Sequence, residues 1–193
     1  MARRISSIIA GALLLLSPLS ASAGDTCAGV TLPTQSAAFG AKLVRNGMGL
    51  REATVLNVDV YVAGLYVPHK TRSAKEILRE TTPKLIVLHF VRDVSREEMS
   101  EALHDALRKN VGDEAAAAQA HLQRFLDKLP ALHEGTRLEL AYRPGHGMRL
   151  VVDGKLLGVE PDDHFANLVF RAWLGHAPPD EDLKAGLLGG PCA

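Results

Sequence analysis

The sequence predicts an α+β domain, and three observations carry that expectation. Segments with the two-residue period of strands come first, segments with helical spacing are inserted after them, and further strands and helices follow. That order differs from the one-to-one alternation of a βαβ protein. Apolar runs late in the chain are separated by Pro144-Gly145 and Asp153-Gly154, dipeptides that turn one strand into the next. The chain also has 193 residues, 47% of them hydrophobic, with no internal repeat and no linker-like stretch, enough for one domain with its own core.

The first segment stands outside that domain. Arg3 and Arg4 precede the apolar run "IIAGALLLLSPL", which ends at the small residues Ala21-Ser22-Ala23, the pattern of a secretory signal peptide cleaved after Ala23. Its apolar run falls short of the roughly 18 residues that a bilayer demands, and no later segment reaches that length. Gly24-Asp25-Thr26 before Cys27 is too polar for a lipid-attachment site. The expectation is a single domain over residues 24–193, delivered to the periplasm or secreted.

After a short N-terminal stretch, "GVTLP" and "SAAFGAKLVRNG" read as two strands of a hairpin, and "GMG" at 47–49 as a turn leading into Arg51. From Leu56 to Val62 the even positions are apolar and the odd ones are Asn57, Asp59 and Tyr61, the period of a half-buried strand. Arg51 is odd as well. With no bulge between them, Arg51, Asn57, Asp59 and Tyr61 share one face that needs water or a ligand, while the other face packs. Gly64 is the expected site of a bulge or bend.

"SAKEILRE" reads as a short helix capped by Ser73, and "KLIVLHFV" as a strand. "DVSREEMSEALHDALRKN" puts Val94, Met99, Ala102, Leu103, Ala106 and Leu107 at helical spacing, opened by a capping box of Ser95 and Glu98. Asp113 is placed to cap an alanine-rich helix through "AAAAQAHLQRFLDKL", stopped by Pro130. "TRLELAYRPGHGMRLVVDGKLLGVE" reads as three strands, and "PDDHFANLVFRAWLG" and "DEDLKAGLLG" as two closing helices that end at glycine.

Several functions are disfavoured by composition. Twenty-two basic residues balance 22 acidic ones, with no basic run and 5% aromatics, so the clustered cations that neutralise nucleic-acid phosphates are missing. The eight histidines stand at 69, 89, 104, 121, 133, 146, 164 and 176 with no i, i+4 pair, which points away from a metal site. No hydrolase, zinc-protease or phosphate-loop signature occurs, and "GLLGG" follows a helix where a phosphate loop would precede one. No cofactor is called for. Asp162-Asp163 and Asp180-Glu181-Asp182 sit at helix starts, where carboxylates favour the positive dipole end. Cys27 and Cys192, at the two ends of the exported chain, are candidates for a disulfide in an oxidising compartment, with free thiols as the alternative.

"NGMGLRE" with "NVDVYVAGLYV" resembles the chalcone isomerase fold family, whose plant enzymes have a glycine-rich turn, an arginine and then a long strand. "HFVRDVSREEMSEALHDAL" is similar to the family's strand-to-helix segment, and "FRAWLGHAPPDEDLKAGLLG" to its C-terminal segment. The similarity runs in order through nearly all of the chain after the leader and is strongest to the bacterial, signal-peptide-bearing members. It implies an open-faced β-sandwich, a large antiparallel sheet covered by a layer of helices around a cleft for an apolar ligand.

The resemblance also implies roles. The family arginine, which holds substrate anion in the isomerases, aligns with Arg51. The family's other active-site positions are replaced: its strand threonine by Tyr61, its lysine by Phe90, its helix tyrosine by Met99, its helix asparagine by Ala106, and its C-terminal threonine by Ala172. Methionine, alanine and phenylalanine supply no group for proton transfer. The remaining pattern is similar to the fatty-acid-binding members, in which an arginine and a tyrosine receive a carboxylate. Three readings follow. In the first, Arg51 and Tyr61 hold the head of a small amphipathic or lipophilic anion, with Met99, Ala106 and Ala172 along its tail. The second is an isomerase or intramolecular lyase of the family type. The third is a scaffold with a collapsed cleft in which Arg51 pairs with Asp59 or Glu52. No protein partner is indicated.

Overall fold

The computed structural model describes residues 25–53, 58–112 and 114–192. The leader, Leu56, Asn57 and the proposed cap Asp113 therefore lie outside the described residues. A small hairpin, β1 (Thr26–Cys27) and β2 (Val30–Thr31), precedes a sheet made of β3 (Gln35–Ala38), β4 (Ala41–Ala53), β5 (Val58–Val67), β6 (Lys84–Phe90), β7 (Arg137–Arg143), β8 (Gly147–Val152) and β9 (Lys155–Glu160). Each strand lies antiparallel beside its neighbour in sequence, so the sheet is a seven-stranded meander. The helices are α1 (Ala74–Ile77) and α2 (Arg96–Val111), then α3 (Glu114–Leu126), α4 (Asp163–Leu174) and α5 (Glu181–Leu187).

Local chemistry sets most boundaries. Ser95 accepts from Glu98 N while Glu98 accepts from Ser95 N, the reciprocal cap expected for α2. Ser73, Asp162 and Asp180 cap α1, α4 and α5 with side-chain oxygens. Asp153 and Gly154 both have positive φ, 48° and 78°, the mirror-image turn that closes β8 onto β9.

Helices cover one face of the sheet, and the N-terminal segment covers the β4–β6 part of the other. On one, Leu65, Ile86, Leu88, Leu138 and Leu140 pack beneath Leu103 and Leu107 of α2 and Phe165, Val169 and Phe170 of α4. On the other, Val62, Tyr66, Leu85 and Val87 lie under Cys27 and Leu32 of the N-terminal segment, where Tyr66 Oη donates to Pro33 O at 2.9 Å. A Cys27–Cys192 disulfide, with Cα atoms 5.8 Å apart, joins that segment to the C-terminus across 165 residues. In the chain-entropy picture, closing so long a loop contributes about 5 kcal/mol.

Four local expectations are corrected. "SAAFGAKLVRNG" is not one strand paired with "GVTLP"; it turns on itself at Phe39-Gly40 to make β3 and β4. "GMG" is no turn but the middle of β4. A Cβ at Gly49 would come within 2.6 Å of Leu183 O, and one at Gly47 or Gly186 would likewise strike backbone across the contact, so these glycines let α5 lie directly on β4. Gly64 is not a bulge either. It pairs regularly with Met48 and Val87 and gives room to Leu32, whose Cδ1 a Cβ would approach to 2.6 Å.

The bulges fall elsewhere, at Asn46 and at Val60. Asn46 uses its freedom from the ladder to donate to Leu187 O and accept from Thr71 N, each at 2.8 Å. Val60 corrects the fourth expectation. Arg51 pairs with Tyr61, but beyond the bulge Glu52 pairs with Asp59, and successive residues alternate sides. Asp59 and Glu52 thus face away from Arg51 and Tyr61. Past Val60 the strand has no solvent face, because every residue from Val60 to Val67 is buried, while Val58, on the side expected to pack, is 40% exposed.

Candidate functional site

Arg51, Tyr61 and Phe90 are consecutive Cα partners across β4, β5 and β6, so their side chains stand in one row on the helix-covered face. Met99 and Ala106 of α2, Ala172 and Trp173 of α4, and Pro178 and Pro179 of the α4–α5 connection close over that row. Between them is a cavity of about 410 Å³, a size usual for small-ligand pockets. Every candidate taken from the sequence lines it: Arg51, Tyr61, Phe90, Met99, Ala106 and Ala172. The cleft is open, not collapsed. Its wall carries no proton-transfer group at Phe90, Met99, Ala106 or Ala172, and Tyr61 has the only hydroxyl among the described lining residues.

Tyr61 is held as a proton donor. Burial pushes its pKa up to about 12, opposed in part by the Trp173 hydrogen bond and the Arg51 charge. Trp173 Nε1 donates to Tyr61 Oη at 3.0 Å. An indole N–H can only donate, so the phenol accepts there and keeps its own proton for another partner. Phe90 fixes the ring from the side, edge-on at a centroid separation of 5.6 Å.

Arg51 is incompletely satisfied. Its Nη1 is buried without a hydrogen-bond partner, and the nearest acid is Asp180, whose Oδ2 lies 3.9 Å away. This replaces the expected pairing with Asp59 or Glu52: Glu52 faces away as the next residue of β4, and the Val60 bulge turns Asp59 to the same far side. Asp180 cannot close the gap freely, because Oδ1 caps α5 through Asp182 N at 2.9 Å and Leu183 N at 3.1 Å. Its Oδ2 is also 3.5 Å from Glu52 N.

The rim is charged. Arg92 lies 3.6 Å from Glu98, and Asp105 and Lys109 of α2 complete it. Three residues here escaped the sequence reading. Arg92 lies two residues beyond Phe90 but past the end of β6, where the strand period no longer places it. Trp173 is the sole tryptophan and adjoins the candidate Ala172, but its bond to Tyr61 joins residues 112 apart in the chain. Asp180 carried only the signal of a helix cap.

No curated protein sequence matches the chain. The sequence profile described as chalcone isomerase-like matches residues 24–189. The chain belongs to the chalcone isomerase-like family. Among solved structures of this chalcone isomerase-like fold, it is similar to a fatty-acid binding protein from Arabidopsis thaliana, with a TM-score of 0.67 and 19% identity over 83% of this chain and 92% of the other. At that identity the likeness concerns the fold: a curled seven-stranded antiparallel sheet with helices against it. Among its described residues, no helix of this chalcone isomerase-like chain is long and apolar enough to cross a membrane.

Proposed function

We propose that this chalcone isomerase-like protein is an exported, non-catalytic binder of a small amphipathic anion, of which a fatty acid is the type. The observation that carries the reading is the head of the cavity. There, Arg51 Nη1 is a buried donor with no acceptor, beside a phenol whose oxygen already accepts from Trp173 and whose proton is uncommitted. A carboxylate oxygen supplies both missing acceptors. An unmet donor costs about 1–3 kcal/mol, which binding of such a head recovers. The fatty-acid binding title of the Arabidopsis neighbour supports the same ligand class.

The tail lies along Phe90, Met99, Ala106 and Ala172, where an unbranched chain meets no polar group. Methionine fits itself to a flexible tail. An isomerase requires a proton acceptor near the reacting atoms, whereas at the cavity head Tyr61, protonated until about pH 12, donates, and the lining carboxylates Glu98 and Asp105 lie at the exposed rim. Export rests on the leader through Ala23, and N-terminal sequencing of protein made with its own leader should begin at Gly24.

Extraction and mass spectrometry of the secreted protein tests the binding reading. An amphipathic acid should leave with the wild type and be missing from Arg51→Ala. In calorimetry, shortening dodecanoate by two methylenes should weaken binding by about 1.6 kcal/mol, the burial of two CH₂ groups. An empty wild type that also fails to bind dodecanoate rejects the proposal.

A further inference from the structure

Asp180 is placed oddly for a helix cap. Its carboxylate is mostly buried, 17% exposed, and reaches the guanidinium that heads the cavity, yet at 3.9 Å it offsets charge without satisfying a donor. Its other oxygen is tethered by two amides of α5, so the carboxylate is an anion on a fixed leash beside Arg51. It also acts on Tyr61, whose proton it helps to retain. By contrast the buried Arg45, whose partner Asp25 is free to move in solvent, closes to hydrogen-bonding distance at 2.9 Å.

We propose that Asp180 sets the selectivity of the site, holding its head near electroneutrality so that an acid and a neutral amphiphile of equal length bind with comparable affinity. This rests on the amphiphile-binding reading above. Two donors, Arg51 Nη1 and the Tyr61 hydroxyl, select for a head that accepts hydrogen bonds, and a carboxylate, an alcohol and a carbonyl all do so. The preference for negative charge that a lone buried arginine would impose is cancelled by the fixed carboxylate. Pro178 and Pro179, which line the cavity just before Asp180, restrict the backbone that carries it.

The test compares dodecanoate and dodecanol, titrated into wild type, Asp180→Asn and Asp180→Ser with tryptophan fluorescence as the signal. Trp173 is the sole tryptophan and lines the cavity, so it reports occupancy directly. Asparagine and serine both serve as helix caps, so α5 keeps its start in either variant. Wild type should bind the two ligands within a few-fold of each other. Both variants should bind dodecanoate about tenfold more tightly, as expected from removing a like charge a few ångströms from the ligand head, and leave dodecanol unchanged. A purely structural Asp180 would weaken both ligands together, and that result overturns the inference, as does an unmoved acid-to-alcohol ratio. If wild type binds neither ligand, the amphiphile reading fails and the inference falls with it. Binding of both by wild type with no shift in the variants rejects the inference alone.

Discussion

Two cations of the same sheet, the buried Lys84 and the partly buried Arg51, differ in how their donors are met. Lys84 is fully enclosed, and its ammonium spends its three protons on Ile77 O, Arg79 O and Asn167 Oδ1, at 2.9, 3.1 and 2.7 Å. The rings of Tyr142 and Phe170 lie 4.8 and 5.4 Å from the same nitrogen. Arg51, at the other end of the helix-covered face, has a buried nitrogen with no partner and a neighbouring acid too far to hydrogen-bond. A cation whose donors are all met inside the chain is structural; one left short at a cavity head is available to something outside it. The difference appears only when donors are counted.

Breaking Lys84 should have the larger effect on folding. Lys84→Ala orphans two carbonyls and Asn167 and leaves a void, so stability should fall by about 4 kcal/mol in denaturant titration, with ligand affinity per folded molecule unchanged. A loss under 1 kcal/mol would show that the three bonds only offset the cost of burying the charge.

The two ends also titrate with opposite sign. Burial pushes Lys84 down to about 7, so between pH 7 and its unfolded value near 10.5 the folded chain holds fewer protons and stability rises with pH. Burial pushes Tyr61 up to about 12 from 10, so over that range the folded chain holds more protons and stability falls, by about 3 kcal/mol for two units at one fully buried phenol. Tyr66 and Tyr142 are shifted in the same direction. Denaturant midpoints should therefore climb toward pH 10 and then drop. Lys84→Met should flatten the climb. Ultraviolet titration should find Tyr61 and Tyr142 still protonated at pH 10 in the folded protein; two ionised tyrosines there would contradict their burial.

Arg51→Ala should reverse the pattern seen at Lys84. Affinity for dodecanoate should fall by about 2 kcal/mol, the worth of a charge-assisted hydrogen bond, while unliganded stability should hold or rise, because the variant removes a donor left unmet in the free protein. A large stability loss would make Arg51 structural after all. Trp173→Phe should have the smallest effect, weakening dodecanoate by about 1 kcal/mol through freeing the Tyr61 hydroxyl to turn from the cavity; unchanged affinity would show that the indole merely packs.

Much of the fold was legible beforehand. The capping box at Ser95 and Glu98, the hairpins at Pro144-Gly145 and Asp153-Gly154, and the strand "KLIVLHFV" each depend on residues within a few positions of one another, so sequence spacing states them directly. The Phe39-Gly40 turn was missed because Phe39 adopts a positive φ, 51°, which its residue type does not announce. The glycines of "GMG" read as a turn in sequence because glycine serves equally for reversal and for close approach, and the α5 backbone they accommodate comes from the far end of the chain. At the site, Arg51 and Tyr61 stood out by the strand period, whereas Phe90, Met99, Ala106 and Ala172 came from family resemblance.

The sequence by itself determined the α+β order, most caps and hairpins, and the family, because each is written in local periodicity and short motifs. Only the tertiary structure decided what Arg51 meets. One extra residue at Val60 turns Asp59 to the opposite face, where Glu52 already points, and the α4–α5 connection brings Asp180 from 129 positions away in their stead. A two-residue period fixes which side chains alternate, but pairing register and long-range packing fix which way they point. For that reason the partners of Arg51 and Tyr61 could be read only from the folded chain.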